Sequence, residues 1–256
     1  MTGALLMLAA LFAVSFLLGS IPWGVIVSKV FFKKDIRHEG SGNIGATNAA
    51  RGMGLKGGAA VFALDAGKGV LAGALAWLVW APLLSGAFAD DTISLFAGIY
   101  DGAAPAHAAF ASGQVVVLCT AVAFIGCTLG HIFCPWLGLR GGKGISVAFG
   151  CEFFALGPLA ALIDLAVFAV FAVSTRWVSL GSLMAAVAVP IMSVWVCGGC
   201  WPAMVLIDAT AVVVIWAHRG NIRRLLKGEE SKFGAKGKTA ARPQASDRSA
   251  EDAGAR

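Results

Sequence analysis

The chain has 256 residues, 58% of them hydrophobic and 13% charged, with a mean hydropathy of +0.81. A soluble domain of this size carries about 25% charged residues, so the composition excludes a disordered chain and a secreted disulfide mini-domain and speaks against a soluble globule. The formal charge is +6, from 20 Lys and Arg against 14 Asp and Glu; ten basic and five acidic residues lie between His218 and Arg256. A basic excess gathered beside a membrane is no argument for a nucleic-acid partner.

What remains is an all-α integral membrane protein. The apolar runs are continuous and lack the period-two alternation of a membrane β-barrel. A crossing helix needs roughly 20 apolar residues. Seven transmembrane helices are predicted in chain order, at about 5–28, 57–83, 113–131, 144–157, 158–174, 178–197 and 202–218. The fourth is short and meets the fifth at Gly157-Pro158, which requires a tight turn. No Lys or Arg precedes Lys29, so the first run has no charged leader region and no secretory signal is expected.

Positive residues favour the cytoplasmic side. An odd number of spans puts the termini on opposite sides, so the basic C-terminus is predicted cytoplasmic and the N-terminus outside. The inner segments are then 29–56, 132–143, 175–177 and 219–256, and every Lys and Arg except Lys68 falls within them. The outer segment 84–112 holds Asp90, Asp91 and Asp101 and no base. Residues 1–230 read as one membrane domain. Residues 231–256 read as a basic, disordered cytoplasmic tail.

Of the six cysteines, Cys119, Cys127, Cys134 and Cys151 read as packing residues. Cys197-Gly-Gly-Cys200 lies in a predicted outer turn, where packing is favoured over a disulfide. It lacks the two further ligands that a zinc site needs. Inside the membrane, Asp65 and Lys68 lie at i and i+3 and are expected to pair. Glu152, Asp164 and Asp208 have no evident basic partner.

Three polar islands interrupt the apolar pattern, all on the predicted inner side. They are Glu39-Gly-Ser-Gly-Asn-Ile-Gly-Ala-Thr-Asn48 with Arg51, Gly130-His-Ile-Phe-Cys-Pro-Trp-Leu-Gly-Leu-Arg-Gly-Gly-Lys-Gly144, and His218-Arg-Gly-Asn-Ile-Arg-Arg-Leu-Leu-Lys227. Glycine-rich backbone lets N–H groups converge on an anion, and a following helix adds its N-terminal dipole. Arg and Lys supply charge. Gly40-x-Gly42-x-x-Gly45 matches the dinucleotide fingerprint only formally, because an apolar span precedes it and not a βαβ strand. Gly141-Gly142-Lys143-Gly144 is not a Walker A loop, since Leu137 stands where the first glycine belongs and Gly144 replaces Ser or Thr. Arg219, Arg223, Arg224 and Lys227 read as a juxtamembrane anchor, while His218 and Asn221 share one helix face.

In order and spacing these islands resemble the acyl-phosphate:glycerol-3-phosphate acyltransferases, the PlsY type of bacterial inner membranes, over roughly residues 10–230. The matching motifs are Gly-Ser-Gly-Asn-x-Gly-Ala-Thr-Asn at 40–48, Gly-His-x-Phe through Gly-Gly-Lys-Gly at 130–144, and His-x-x-Asn-x-x-Arg-Leu at 218–225. Ile44 replaces a frequent Pro, Pro135 lies one position late, and Ser146-Val147 replaces a common Ala-Thr. None of these removes a proposed ligand. None of the four histidines has Asp five residues on, so the His-x-x-x-x-Asp acyltransferase pattern is absent.

The resemblance implies seven spans with a site facing the cytoplasm. It implies transfer of a fatty acyl group from acyl phosphate to the 1-hydroxyl of glycerol 3-phosphate, the first step of phospholipid biosynthesis. Lysophosphatidate and phosphate are the products. An acyl phosphate is a mixed anhydride with a good leaving group, so the enzyme must orient two substrates and stabilise charge. No metal, cofactor or covalent nucleophile is needed. The resemblance assigns Ser41, Arg51, Lys143, His218 and Asn221 to glycerol 3-phosphate, with Ser182 preferred over Ser179 beside them. It assigns Thr47 and the backbone of Gly141, Gly142 and Gly144 to the acyl-phosphate head, and Gly42, Asn43 and Asn48 of the first island count among the substrate-binding residues. The general base is either His218 or a substrate phosphate. The competing readings are an organic-phosphate transporter or channel and a lipid-binding scaffold.

Overall fold

In the computed structural model, runs of Leu, Ala, Val and Phe form ten α-helices and no strand among the described residues, 2–87, 107–197 and 199–234. The helices are α1 (Thr2–Gly19), α2 (Trp23–Phe32), α3 (Ala46–Leu75), α4 (Ala81–Ala87), α5 (His107–Ile132), α6 (Ile145–Ala155), α7 (Pro158–Thr175), α8 (Val178–Val196), α9 (Trp201–Ala217) and α10 (Arg219–Leu226). Helix α3 runs into α4 through one π turn, Ala76–Trp80. Among the described residues, five stretches are long and apolar enough to cross a membrane: Gly3–Phe32, Ala46–Gly86, Gly113–Leu137, Pro158–Thr175 and Val178–Val196. Helices α9 and α10 form a pair bent by 54°.

Neighbouring helices close a ring in the order α1, α5, α9, α8, α7, α6, α3, with α5 also packed on α3 and α6. Small residues let backbones approach, as membrane helix packing requires. A Cβ on Gly69 of α3 would strike the Val147 carbonyl of α6, and one on Gly150 of α6 would strike the Ala66 carbonyl of α3. Leu11, Phe124, Cys127, Val147 and Ile207 are buried at the centre, whereas Leu159, Val173 and Trp195 face outward. An outward apolar face is what lipid contact demands.

Four expectations from the sequence need adjustment. The first apolar run divides into α1 and α2 around Ser20, Ile21 and Pro22, because Pro22 cannot donate within a helix. The second helix begins at Ala46, eleven residues before 57, so Thr47, Asn48 and Arg51 are helical; Gly54, at φ 75° and ψ 178°, kinks it. Helix α6 has only 11 residues, about 16 Å of rise, and does not cross a ~30 Å core alone. The first tail residues are packed: Phe233 N–H donates to the Arg176 carbonyl at 2.7 Å, and Trp177 Nε1–H donates to the Glu230 carbonyl at 3.1 Å.

Other expectations match. Gly157, at φ 87°, forms the turn before Pro158. Lys68 Nζ lies 2.9 Å from Asp65 Oδ1. Cys197 and Cys200 are free and buried. Asp208 has a partner the sequence did not reveal, the Ser193 hydroxyl at 2.8 Å. The centre of segment 84–112 and tail residues 235–256 lie outside the described residues.

Candidate active site

The first island is shaped by Asn48. Its Oδ1 accepts the Ser41 N–H at 2.9 Å, and its Nδ2 donates to the carbonyls of Ile36, Glu39 and Asn43. The loop over residues 36–45 is thereby folded onto the first turn of α3. Gly40 and Gly42 hold positive φ there, 51° and 71°. Asn43 Oδ1 accepts the Gly45 N–H at 2.9 Å. The polar atoms of Asn48, which the sequence reading counts among the substrate-binding residues, are engaged with the loop backbone, so it organises the binding loop.

The second island folds back on the end of α5. Gly141 N–H donates to the Ile132 carbonyl and Gly142 N–H to the His131 carbonyl. A Cβ at Gly141 would meet the His131 carbonyl, and one at Gly142 would meet the His131 ring. Both N–H groups are therefore engaged, and these glycines shape the loop without aiming donors at a ligand. Gly144, at φ 90°, starts α6. Beneath the loop, Lys68 Nζ donates to the Ile21 carbonyl at 2.8 Å and reaches His131 Nδ1 at 2.9 Å. An ammonium has only donors, so Nδ1 accepts and the ring proton lies on Nε2, the atom that a Cβ on Gly142 would strike first. Lys68 thus links the α1–α2 break, Asp65 and the glycine loop. Burying an ion pair costs desolvation unless further hydrogen bonds offset it, and Ile21 and His131 provide them for the ammonium.

The third island occupies the bend between α9 and α10. His218 is buried, with Nδ1 2.8 Å from the Val214 carbonyl. A carbonyl accepts, so Nδ1 donates and an uncharged ring leaves the Nε2 lone pair free of that contact. Asn221 Nδ2 donates to Glu230 Oε1 at 2.9 Å, and Arg224 Nε donates to Glu230 Oε2 at 2.6 Å.

One cavity of about 640 Å³ joins the three islands. Ser41, Asn43, Thr47, Asn48, Arg51, Lys143, Gly144, Ser182, His218 and Asn221 line it; Gly42, Gly141 and Gly142 do not. Its wall includes Ala46 and Thr47, at the start of α3, and Ile145 and Ser146, at the start of α6. First-turn N–H groups lack intrahelical partners and carry the positive end of the helix dipole. Two such ends around one cavity are the arrangement that favours an anion. Burial, together with the positive charges of Arg224 and Arg51, brings the Lys143 ammonium down to about 8. A cation so destabilised is eager for an anionic partner. Burial alone would raise the Glu230 carboxyl, but hydrogen bonds from Arg224 and Asn221 hold it below its usual range.

The family model for glycerol-3-phosphate acyltransferases matches residues 9–228. The chain belongs to this glycerol-3-phosphate acyltransferase family. Among its relatives, the glycerol-3-phosphate acyltransferase of Agrobacterium fabrum is 38% identical, over 91% of this chain and 95% of that protein. The one from Listeria monocytogenes is 36% identical, over 86% and 93%. Of solved structures, the glycerol 3-phosphate form of PlsY, an integral membrane glycerol 3-phosphate acyltransferase, has a TM-score of 0.66 at 29% identity, covering 91% of this chain and 96% of that one. Its lysophosphatidic acid form gives 0.64 at 30% identity, with the same coverage.

In this acyltransferase family member the sequence motifs omit several residues of the cavity. Arg224 and Glu230 both line it, yet Arg224 reads as an anchor charge and Glu230 as the edge of a tail. The acid three residues beyond the last anchor base was the available signal. His131 also lines the cavity. Its partnership with Lys68 spans 63 positions, and spacing within a single helix cannot reveal it.

Proposed function

We infer that this family member transfers a fatty acyl group from acyl phosphate to the 1-hydroxyl of glycerol 3-phosphate, giving 1-acylglycerol 3-phosphate and phosphate. The observation that carries this reading is the single cavity in which two helix N-termini and the cations Arg51, Lys143 and Arg224 adjoin an apolar interior. The lining groups that the three islands contribute lie at the starts of α3 and α6 and around the α9–α10 bend, with Ser182 near the start of α8. A transporter instead concentrates its determinants near the midplane between related halves.

On this reading Thr47 and the first-turn N–H groups of α6 hold the acyl-phosphate head. Ser41, Arg51, Lys143, Ser182, His218 and Asn221 hold glycerol 3-phosphate. The hydroxyl oxygen attacks the acyl carbonyl carbon, and the bond from that carbon to the phosphate oxygen breaks. Phosphate leaves with the electron pair, and the hydroxyl proton passes to His218 Nε2 or to a phosphate oxygen. The main contribution of the site is orientation and charge stabilisation.

The proposed topology has seven membrane-inserted segments in a bacterial inner membrane, with the N-terminus outside and the C-terminus cytoplasmic. Because α6 and α7 form a hairpin at Gly157-Pro158, the chain returns to its starting side however deep α6 reaches. The parity of the topology is therefore independent of the short helix. The charge distribution supports this orientation.

The test uses purified protein in lipid, supplied with palmitoyl phosphate and glycerol 3-phosphate. Release of phosphate together with lysophosphatidate is expected. Product from acyl-CoA but none from acyl phosphate would overturn the reading.

A further inference from the structure

The cavity extends beyond the phosphate groups, past Phe124, Val189 and Ala211. Two carboxyls interrupt this apolar stretch. Glu152 of α6 and Asp164 of α7 both line the cavity and are only 1% and 5% exposed. Glu152 lies five residues before Gly157 and Asp164 six residues after Pro158, so the hairpin sets them at one level. Their side chains lie close enough to act on each other directly. Two carboxyls attract each other only with a proton between them. Neither Glu152 Oε2 nor Asp164 Oδ1 has a hydrogen-bond donor from another residue among the described ones. Neither carboxyl belongs to a group of three or more metal-ligating side chains there.

Depth decides what these acceptors meet. Eight helical residues separate Glu152 from Gly144, about 12 Å at 1.5 Å per residue. An acyl chain whose phosphate sits at the glycine loop therefore passes the carboxyls near its middle. Plain hydrocarbon there offers no donor to the lone pairs that a shared proton leaves over, which is unfavourable. A hydroxyl on the chain at this depth donates to one of them. We propose that Glu152 and Asp164 form an acyl-chain subsite selecting acyl groups that carry a hydroxyl near mid-chain. The proposal rests on the acyl-transfer reading above and adds a substrate class to it.

The experiment compares three acyl phosphates of equal length on the full-length protein in lipid nanodiscs: unsubstituted, hydroxylated at mid-chain, and hydroxylated beside the carbonyl. The mid-chain compound is expected to show a KM about tenfold below the other two. The variant Glu152→Leu with Asp164→Leu should reverse that order, lowering the KM for the unsubstituted chain and raising it for the hydroxylated one. Glu152→Gln with Asp164→Asn keeps polar groups of the same size and should retain the preference. If the leucine variant does not fold, the wild-type comparison and the amide variant still decide. Equal KM values for all three compounds in the wild-type protein would overturn the subsite, as expected if only water answers the carboxyls. Absence of product from all three would instead overturn the acyl-transfer reading, and the subsite with it.

Discussion

Arg51 is exposed on the first turns of α3 beside the cavity, where a guanidinium can grip phosphate through two parallel N–H bonds. Arg51→Ala removes a charged hydrogen-bond partner of the phosphate and should cost on the order of 1.5–3 kcal/mol of transition-state stabilisation. Steady-state kinetics with glycerol 3-phosphate check this, and a near-normal kcat/KM would exclude Arg51 as a ligand. Lys143 gives a different signature. Its ammonium is held down at about 8 by burial and by Arg224 and Arg51, so it is charged below that pH and neutral above it. A phosphate monoester is already a dianion above about pH 6. The KM for glycerol 3-phosphate should therefore climb as pH rises past about 8, and Lys143→Arg, charged throughout, should flatten the climb. A pH-independent KM in the wild type would remove Lys143 from the site. Both residues are legible in sequence because each lies within a dense glycine-rich motif. The role of Asn48 is not, since ligand and loop organiser require the same side chain in the same place. Only the four bonds to residues 36, 39, 41 and 43 separate the two roles.

Helix identity was legible from apolar runs, but helix ends were not, because hydropathy does not register a helix that continues into polar sequence. Thus α3 begins at Ala46 and carries Arg51 toward the cavity on a rigid element. The packing of α3 on α6 is equally hidden, since glycine in an apolar helix looks the same at a crossing as on a lipid face. Gly67 and Gly69 separate the two cases within one helix. A Cβ at Gly67 meets nothing within 4 Å, whereas at Gly69 it strikes the Val147 carbonyl and crowds Cys151 N and Gly150 Cα. Backbone cannot rotate aside as a side chain does. Gly69→Ala should destabilise the protein by about 1–3 kcal/mol through overpacking. Gly67→Ala should be neutral or stabilising by up to roughly 1 kcal/mol, through the helix propensity of Ala. Thermal unfolding of both variants in detergent measures the difference. Equal melting temperatures would mean that α3 and α6 are not in backbone contact. Because α6 begins at the glycine loop, Gly69→Ala should also raise the KM for acyl phosphate.

Across the whole molecule, the +6 charge bears on which way the chain is inserted. With the proposed orientation, Arg51, Lys143 and Arg224 face the cytoplasm, where a soluble phosphorylated acceptor arrives, while the acyl chain lies among the helices. The basic residues past Lys227 do not line the cavity among the described residues; their contribution to this picture is to bias insertion. Thiol labelling tests the arrangement. The six native cysteines are all buried, so background reaction with a membrane-impermeant maleimide should be low. A cysteine introduced at Ser249 should remain unlabelled in intact cells and react after permeabilisation. One at Ala103, in the predicted outer segment, should react in intact cells. The opposite pattern would place the anion-binding end of the cavity outside the cell, away from cytoplasmic glycerol 3-phosphate. It would then overturn the proposed function together with the topology, because a site for that acceptor is useful only on the side where the acceptor is made.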